Sequence, residues 1–139
     1  MALKFKELKI GDPIYFVMLQ SSCEDEKSCE IQQGTLVKID VEPERMFCGG
    51  KVSTVNKYYY WVDEGKGYTQ RLTIFDSEWH PGATTLEDNF YWTGNYRYCT
   101  DSYPLKQVIN EYVNKELAML ERKLAKVKEN IDALKSKLI

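Results

Sequence analysis

The C-terminal quarter of the chain constrains the fold most. No helix breaker follows Pro104, and Val113, Leu117, Leu120, Leu124, Val127, Ile131, Leu134 and Leu138 succeed one another at spacings of 4, 3, 4, 3, 4, 3 and 4. This is a heptad seam, with Leu117, Leu124, Ile131 and Leu138 at a and Val113, Leu120, Val127 and Leu134 at d. Asp101 or Ser102 supplies an N-cap, and Pro104 falls in the first turn, where its missing N–H costs nothing. The stretch from Pro104 to Ile139 predicts a helix of about 54 Å at 1.5 Å per residue. That is longer than a ~100-residue domain is wide, so most of the seam needs a partner outside its own subunit. The competing expectation is a helix folded back over its own β part. A strict 3-4 spacing favours another helix, because a barrel surface does not demand a 3.5 repeat. Upstream, Leu105, Ile109 and Tyr112 form a rotated stripe, expected to dock on the rest of the chain while the later turns project.

The charges beside the seam address orientation. In a parallel pair, Glu116 would meet Glu121 and Lys123 would meet Lys128, so two contacts repel and none attracts. In an antiparallel pair with Leu124 against Val127 of the other copy, Glu116 meets Lys137, Glu121 meets Lys128 and Lys123 meets Asn130. Nothing repels. The expectation is an antiparallel helical contact, most simply a dimer; leucine at a also admits a trimer or a dimer of dimers.

Residues 1–101 have a different character. They hold 11 Lys+Arg against 16 Asp+Glu, a net of −5, whereas residues 102–139 hold 8 against 5, a net of +3; together these give the chain's −2. All eight glycines lie in the first part. Pro13–Leu19 is a continuous apolar run. After Gly34, Val37, Ile39 and Val41 alternate with Lys38, Asp40 and Glu42, the period of a half-buried strand with the three apolar residues facing in. Gly49-Gly50 breaks the chain, and Lys51–Asp63 reads as a strand rich in Val, Thr, Tyr and Trp. Glu64-Gly65-Lys66-Gly67 is a turn, and Leu72 and Ile74 alternate through the next strand. Phe90–Trp92 and Tyr96–Tyr98 flank Thr93-Gly94-Asn95 as a hairpin. The fold class is therefore α+β: a small antiparallel β-barrel or sandwich of five to six strands over residues 1–101, with one long C-terminal α-helix over 102–139.

The functional signals are aromatic rather than catalytic. Tyr58-Tyr59-Tyr60-Trp61 sends rings to both faces of a strand, and the hairpin adds more. Tyr58, Tyr60, Trp61, Arg71, Tyr91, Trp92, Tyr96 and Arg97 form the candidate ligand-binding set, the rings for stacking and the arginines for an anion. The bland expectation is that many of these rings serve as core and rim. No nucleophile elbow, phosphate loop or zinc-protease helix is present. The one histidine, His80, precedes Pro81-Gly82, and a couple with Cys99 or Cys48 is the only nucleophile–base pair on offer. Cys23, Cys29, Cys48 and Cys99 lack a tight metal knuckle, and the acidic run Glu24–Glu26 lacks the alternation of a calcium loop. Neither a metal nor a cofactor is expected. The N-terminus lacks the apolar core of a signal peptide, and no stretch approaches ~20 apolar residues, so a cytoplasmic protein with no membrane partner is expected. The acidic balance makes long DNA an unsuitable partner.

Ile10-Gly11-Asp12-Pro13-Ile14-Tyr15-Phe16, followed by Gly34-Thr35-Leu36-Val37-Lys38-Ile39, resembles the opening of SH3-like or KOW-like small barrels over about 40 residues. A small barrel followed by one coiled-coil helix is also similar to many bacteriophage and bacterial proteins. That likeness implies an interaction or counter-defence role, in the bacterial host cytoplasm if the chain is phage-encoded. Taken together, the sequence points to a non-enzymatic homo-oligomeric binding protein whose β part recognises a protein partner. The alternatives are a small-nucleotide binder that sequesters a signalling nucleotide, and an RNA-binding small barrel.

Overall fold

The computed structural model describes residues 2–20, 28–65 and 67–139. Cys23 and the acidic run Glu24–Glu26 lie outside them, as does Lys66 of the expected Glu64–Gly67 turn. Six antiparallel strands, β1 (Pro13–Met18), β2 (Gln32–Cys48), β3 (Lys51–Asp63), β4 (Thr69–Phe75), β5 (Phe90–Thr93) and β6 (Tyr96–Cys99), form one sheet in the order β4-β3-β2-β1-β6-β5. The sheet curls into a half-barrel, and one helix, α1 (Ser102–Lys135), completes the α+β architecture read from the sequence.

The turns are the ones their residues demand. Gly49 and Gly50, at φ +60° and +78°, form the two-residue connection between Cys48 and Lys51, where positive φ at both positions matches the twist of the flanking strands. In the β5–β6 turn Gly94 takes φ +55° at the first central position.

The apolar run of β1 is explained by its central place in the sheet. Ile14 and Phe16 are fully buried on the concave face, with Leu36, Tyr60, Val62, Leu72, Ile74 and Tyr98. Val17 and Leu19 are buried on the outer face with Cys99 and Leu105. A strand covered on both sides has no polar alternation to show. The concave core is plugged from below by a 3₁₀ turn over Phe5–Glu7. Phe5 N–H donates to Asp88 O (2.8 Å), and Lys6 N–H donates to Leu86 O (3.0 Å). Lys4 and Lys6 both pair with Glu87, at 2.8 and 2.6 Å, and their hydrogen bonds hold its carboxyl down at about 2. The curl is pinned by a buried bond from Tyr98 Oη to Glu64 Oε2 at 2.6 Å, which ties β6 to the end of β3.

The second strand departs from its expected pattern. Gly34 and Leu36 face the core, and a bulge between Leu36 and Lys38 leaves Val37 outside the regular pairing and exposed. Of the three residues expected to face in, only Ile39 packs on the core. Val41, paired with Tyr58 where β4 still backs β3, is exposed because β1 pairs with β2 only as far as Thr35 and leaves this end of β2 without a neighbour on that side.

Gly34 is held to glycine by space, not by φ. A Cβ there would sit 2.7 Å from Val62 Cγ1 and 2.8 Å from the Asp63 carbonyl oxygen. Gly34→Ala should therefore cost about 1–3 kcal/mol through overpacking. Urea unfolding followed by circular dichroism checks this; an unchanged midpoint would show that β3 moves away freely.

The helix starts as its residues predict. The Asp101 side chain accepts the Tyr103 N–H at 3.3 Å, and Pro104 lies in the first turn. Leu105 is fully buried on β1 and β6, with Val108, Ile109 and Tyr112 packed beside it. From Leu120 onward every residue is exposed.

Candidate functional site

The eight candidate residues fall into three places. Period-2 alternation on β3 turns Tyr58, Tyr60 and Val62 to the concave side and Tyr59 and Trp61 to the outer side. Tyr60 is core: it is 3% exposed, meets Phe5 edge-on, and its hydroxyl donates to Phe5 O at 2.9 Å. Burial pushes that hydroxyl up to about 12. Tyr58, Tyr91 and Tyr96 also pack against the concave core, where Tyr96 stacks on Tyr98. Burial, with Glu64 beside it, raises the Tyr98 hydroxyl far above the usual phenol range. Tyr60 is thus a core ring, while Tyr58, Tyr91 and Tyr96 are half-buried against the core.

Trp61 and Arg71 pair across β3 and β4 on the outer face. Arg71 lies 4.5 Å over the ring of Tyr59 and 6.0 Å from that of Trp61. Trp61 Nε1 donates to Asp40 Oδ2 at 3.0 Å, and Lys38 pairs with the same carboxylate oxygen at 3.4 Å. Trp61 and Lys38 thus share the Asp40 carboxylate, and Arg71 meets the faces of Tyr59 and Trp61. Sequence reasoning omitted Tyr59, whose place in the patch follows from the same alternation that sets Trp61 on that face.

Trp92 and Arg97 are different. They face each other across the β5–β6 hairpin on the outer side, at the far end of the sheet order from Trp61 and Arg71. Arg97 Nη1 donates to Gly94 O at 2.8 Å and Tyr96 O at 3.0 Å, which fixes the guanidinium 5.7 Å from the Trp92 ring centre. Trp92 is 66% exposed. Between this hairpin and α1 runs a groove of about 440 Å³, lined by Leu19, Phe90, Trp92, Arg97, Val108, Glu111, Tyr112 and Lys115. Three rings, two cations and one carboxylate converge there, a lining and a size suited to a flat or extended ligand. Glu111, Tyr112 and Lys115 share a helix face at i, i+1 and i+4, but sequence reasoning could not tell which strand that face would meet.

The groove and the seam occupy different sides of α1. Lys115 and Leu117 are two residues apart, about 200° around a helix of 3.6 residues per turn. A helix packed along Val113, Leu117, Leu120 and Leu124 therefore leaves the groove open.

Cys99, one half of the conceivable Cys–His couple, is fully buried, and burial pushes its thiol up, the reverse of what a nucleophile needs. His80 is exposed, with Nδ1 2.9 Å from Pro81 O. Among the described residues no group of three or more His, Cys, Asp or Glu is placed to hold a metal ion. No helix among them is long and apolar enough to cross a membrane. The chain matches no protein-family model, no curated protein and no solved structure.

Proposed function

We propose that this protein is a non-enzymatic binding protein that acts as a homo-oligomer. Its C-terminal helix joins the copies, and the groove beside the β5–β6 hairpin of each copy recognises a partner protein. One observation carries the reading. Leu117, Leu124 and Leu134 are 50%, 54% and 69% exposed, and the seam continues through Val127 and Ile131 with nothing among the described residues against it; Leu138, expected at the last a position of a helix over 102–139, lies past the end of α1 at Lys135. A lone helix gains little from such a ribbon in water, whereas a second copy buries it over more than three heptads. Because the groove lies on another side of the helix, each copy keeps its own, and a bivalent assembly gains avidity without further contacts.

The antiparallel orientation rests on charge. Lys128→Glu replaces two Glu121–Lys128 attractions per dimer with two repulsions. At about 0.3–0.5 kcal/mol for each exposed pair gained or lost, that amounts to roughly tenfold weaker association. Sedimentation equilibrium reads the change directly. In a parallel pair the same substitution would relieve the Lys123–Lys128 repulsion, so tighter association would overturn the orientation.

A further inference from the structure

The free edge of the sheet lies at the rim of the groove. β5 is the last strand of the sheet, and its outward backbone groups follow from the hairpin's pairing. Thr93 and Tyr96 flank a two-residue turn, so they form a hydrogen-bonded pair, as do Tyr91 and Tyr98 two residues further along. The alternation continues at Asn89, whose carbonyl accepts Thr100 N–H at 3.1 Å. The N–H and C=O groups of Phe90 and Trp92 must then point away from β6. The preceding outward carbonyls, Leu86 O and Asp88 O, are taken by Lys6 and Phe5 N–H. Among the described residues no backbone group outside the strand takes those of Phe90 and Trp92.

A buried sheet edge is covered, and an idle one is blunted by charge, proline or a bulge. β5 reads Phe-Tyr-Trp-Thr; at four residues it is short, but it carries no charge, proline or bulge. Beside it, the groove sets Arg97 and Lys115 against a single carboxylate, Glu111, whereas Glu78 and Asp88 line a separate hollow that Phe90 and Trp92 also border, so the cationic side is the groove alone. Arg97 is already oriented by the two carbonyls it binds through Nη1, so its remaining donors are pre-set for an anion.

We propose that the β5 edge and the groove together receive an extended, acidic segment of the partner protein. The segment adds as a seventh strand on the backbone of Phe90 and Trp92 and sets a carboxylate against Arg97 and Lys115. This deepens the binding role proposed above by naming what the groove takes. Strand addition supplies main-chain hydrogen bonds for affinity, and the alternate side chains that enter the groove supply specificity.

The probe is a displayed library of random dodecapeptides selected on the full-length protein. Enriched sequences are expected to be acidic and free of internal proline. Their affinity should fall at least tenfold with Arg97→Ala and with Lys115→Glu; the second residue is exposed on the helix, so its loss does not endanger the fold. N-methylation at every second residue of a selected peptide should abolish binding in one phase and spare it in the other. Equal loss in both phases, or peptides indifferent to both cations, overturns the proposal. So does tight binding of AMP that depends on Arg97 and excludes the peptides, which returns the groove to a nucleotide. Self-association that survives disruption of the helical seam and is lost on β5 substitution assigns the edge to a second copy and also overturns it. Peptide binding measured on the seam variant Leu124→Glu separates this result from the oligomer, since either can fail alone.

Discussion

Leu124→Glu should convert the assembled protein into single 16.3 kDa subunits. In the antiparallel register Leu124 faces Val127 of the other copy on both sides of the two-fold axis, so one substitution removes two leucines from the middle of the contact. Burying a leucine contributes about 1.5–3 kcal/mol. For two leucines the loss reaches about 3–6 kcal/mol at full burial, on the order of a hundredfold to ten-thousandfold in the dissociation constant, before the cost of confining two carboxylates is added. The subunit itself should be indifferent, because Leu124 is 54% exposed within it. Light scattering after size exclusion gives the mass, and near-ultraviolet circular dichroism reports the intact β core. An unchanged mass would mean that the copies meet elsewhere; a collapsed core signal would mean that the residue serves its own subunit.

The second large effect lies in the concave core. Phe16 has no exposed surface, stacks on Tyr98 at 5.6 Å between ring centres, and fills the space beside Gly34. Phe16→Ala removes a ring from the strand at the centre of the sheet. It should cost about 3–5 kcal/mol, a large share of the 5–15 kcal/mol that a domain of this size commands. Urea unfolding of the seam-disrupted subunit gives the value free of the association term. A loss below about 1 kcal/mol would show that the concave cluster is not the core that holds the curl.

Much of this architecture was legible because local chemistry and tertiary demand agree. The boundaries of β3 follow from a turn at each end and β-forming residues between. The rotated stripe of Leu105, Ile109 and Tyr112 docks, while the 3-4 seam projects, because two different periods in one helix cannot face one surface. The misses have physical causes too. A bulge at Val37 has no composition of its own, and alternation alone could not show that β1 leaves β2 at Thr35 and Val41 uncovered. Tyr60, buried in the core, was grouped with the candidate binding rings because an aromatic side chain serves a core and a ligand equally well. Only register tells which face it takes, as it does for Tyr59 in the outer patch. The groove was the least legible feature. Its lining comes from Leu19 just past β1, the β5–β6 hairpin and α1, brought together by packing around Leu105 rather than by any motif.

The central claim is that the apolar ribbon of α1 is covered by a second copy. The mass of the native protein across a dilution series tests it most directly. A covered ribbon gives a mass of about 33 kDa, twice the 16.3 kDa of the chain, falling toward one subunit only at the lowest concentrations. A mass of 16.3 kDa at every dilution would contradict it.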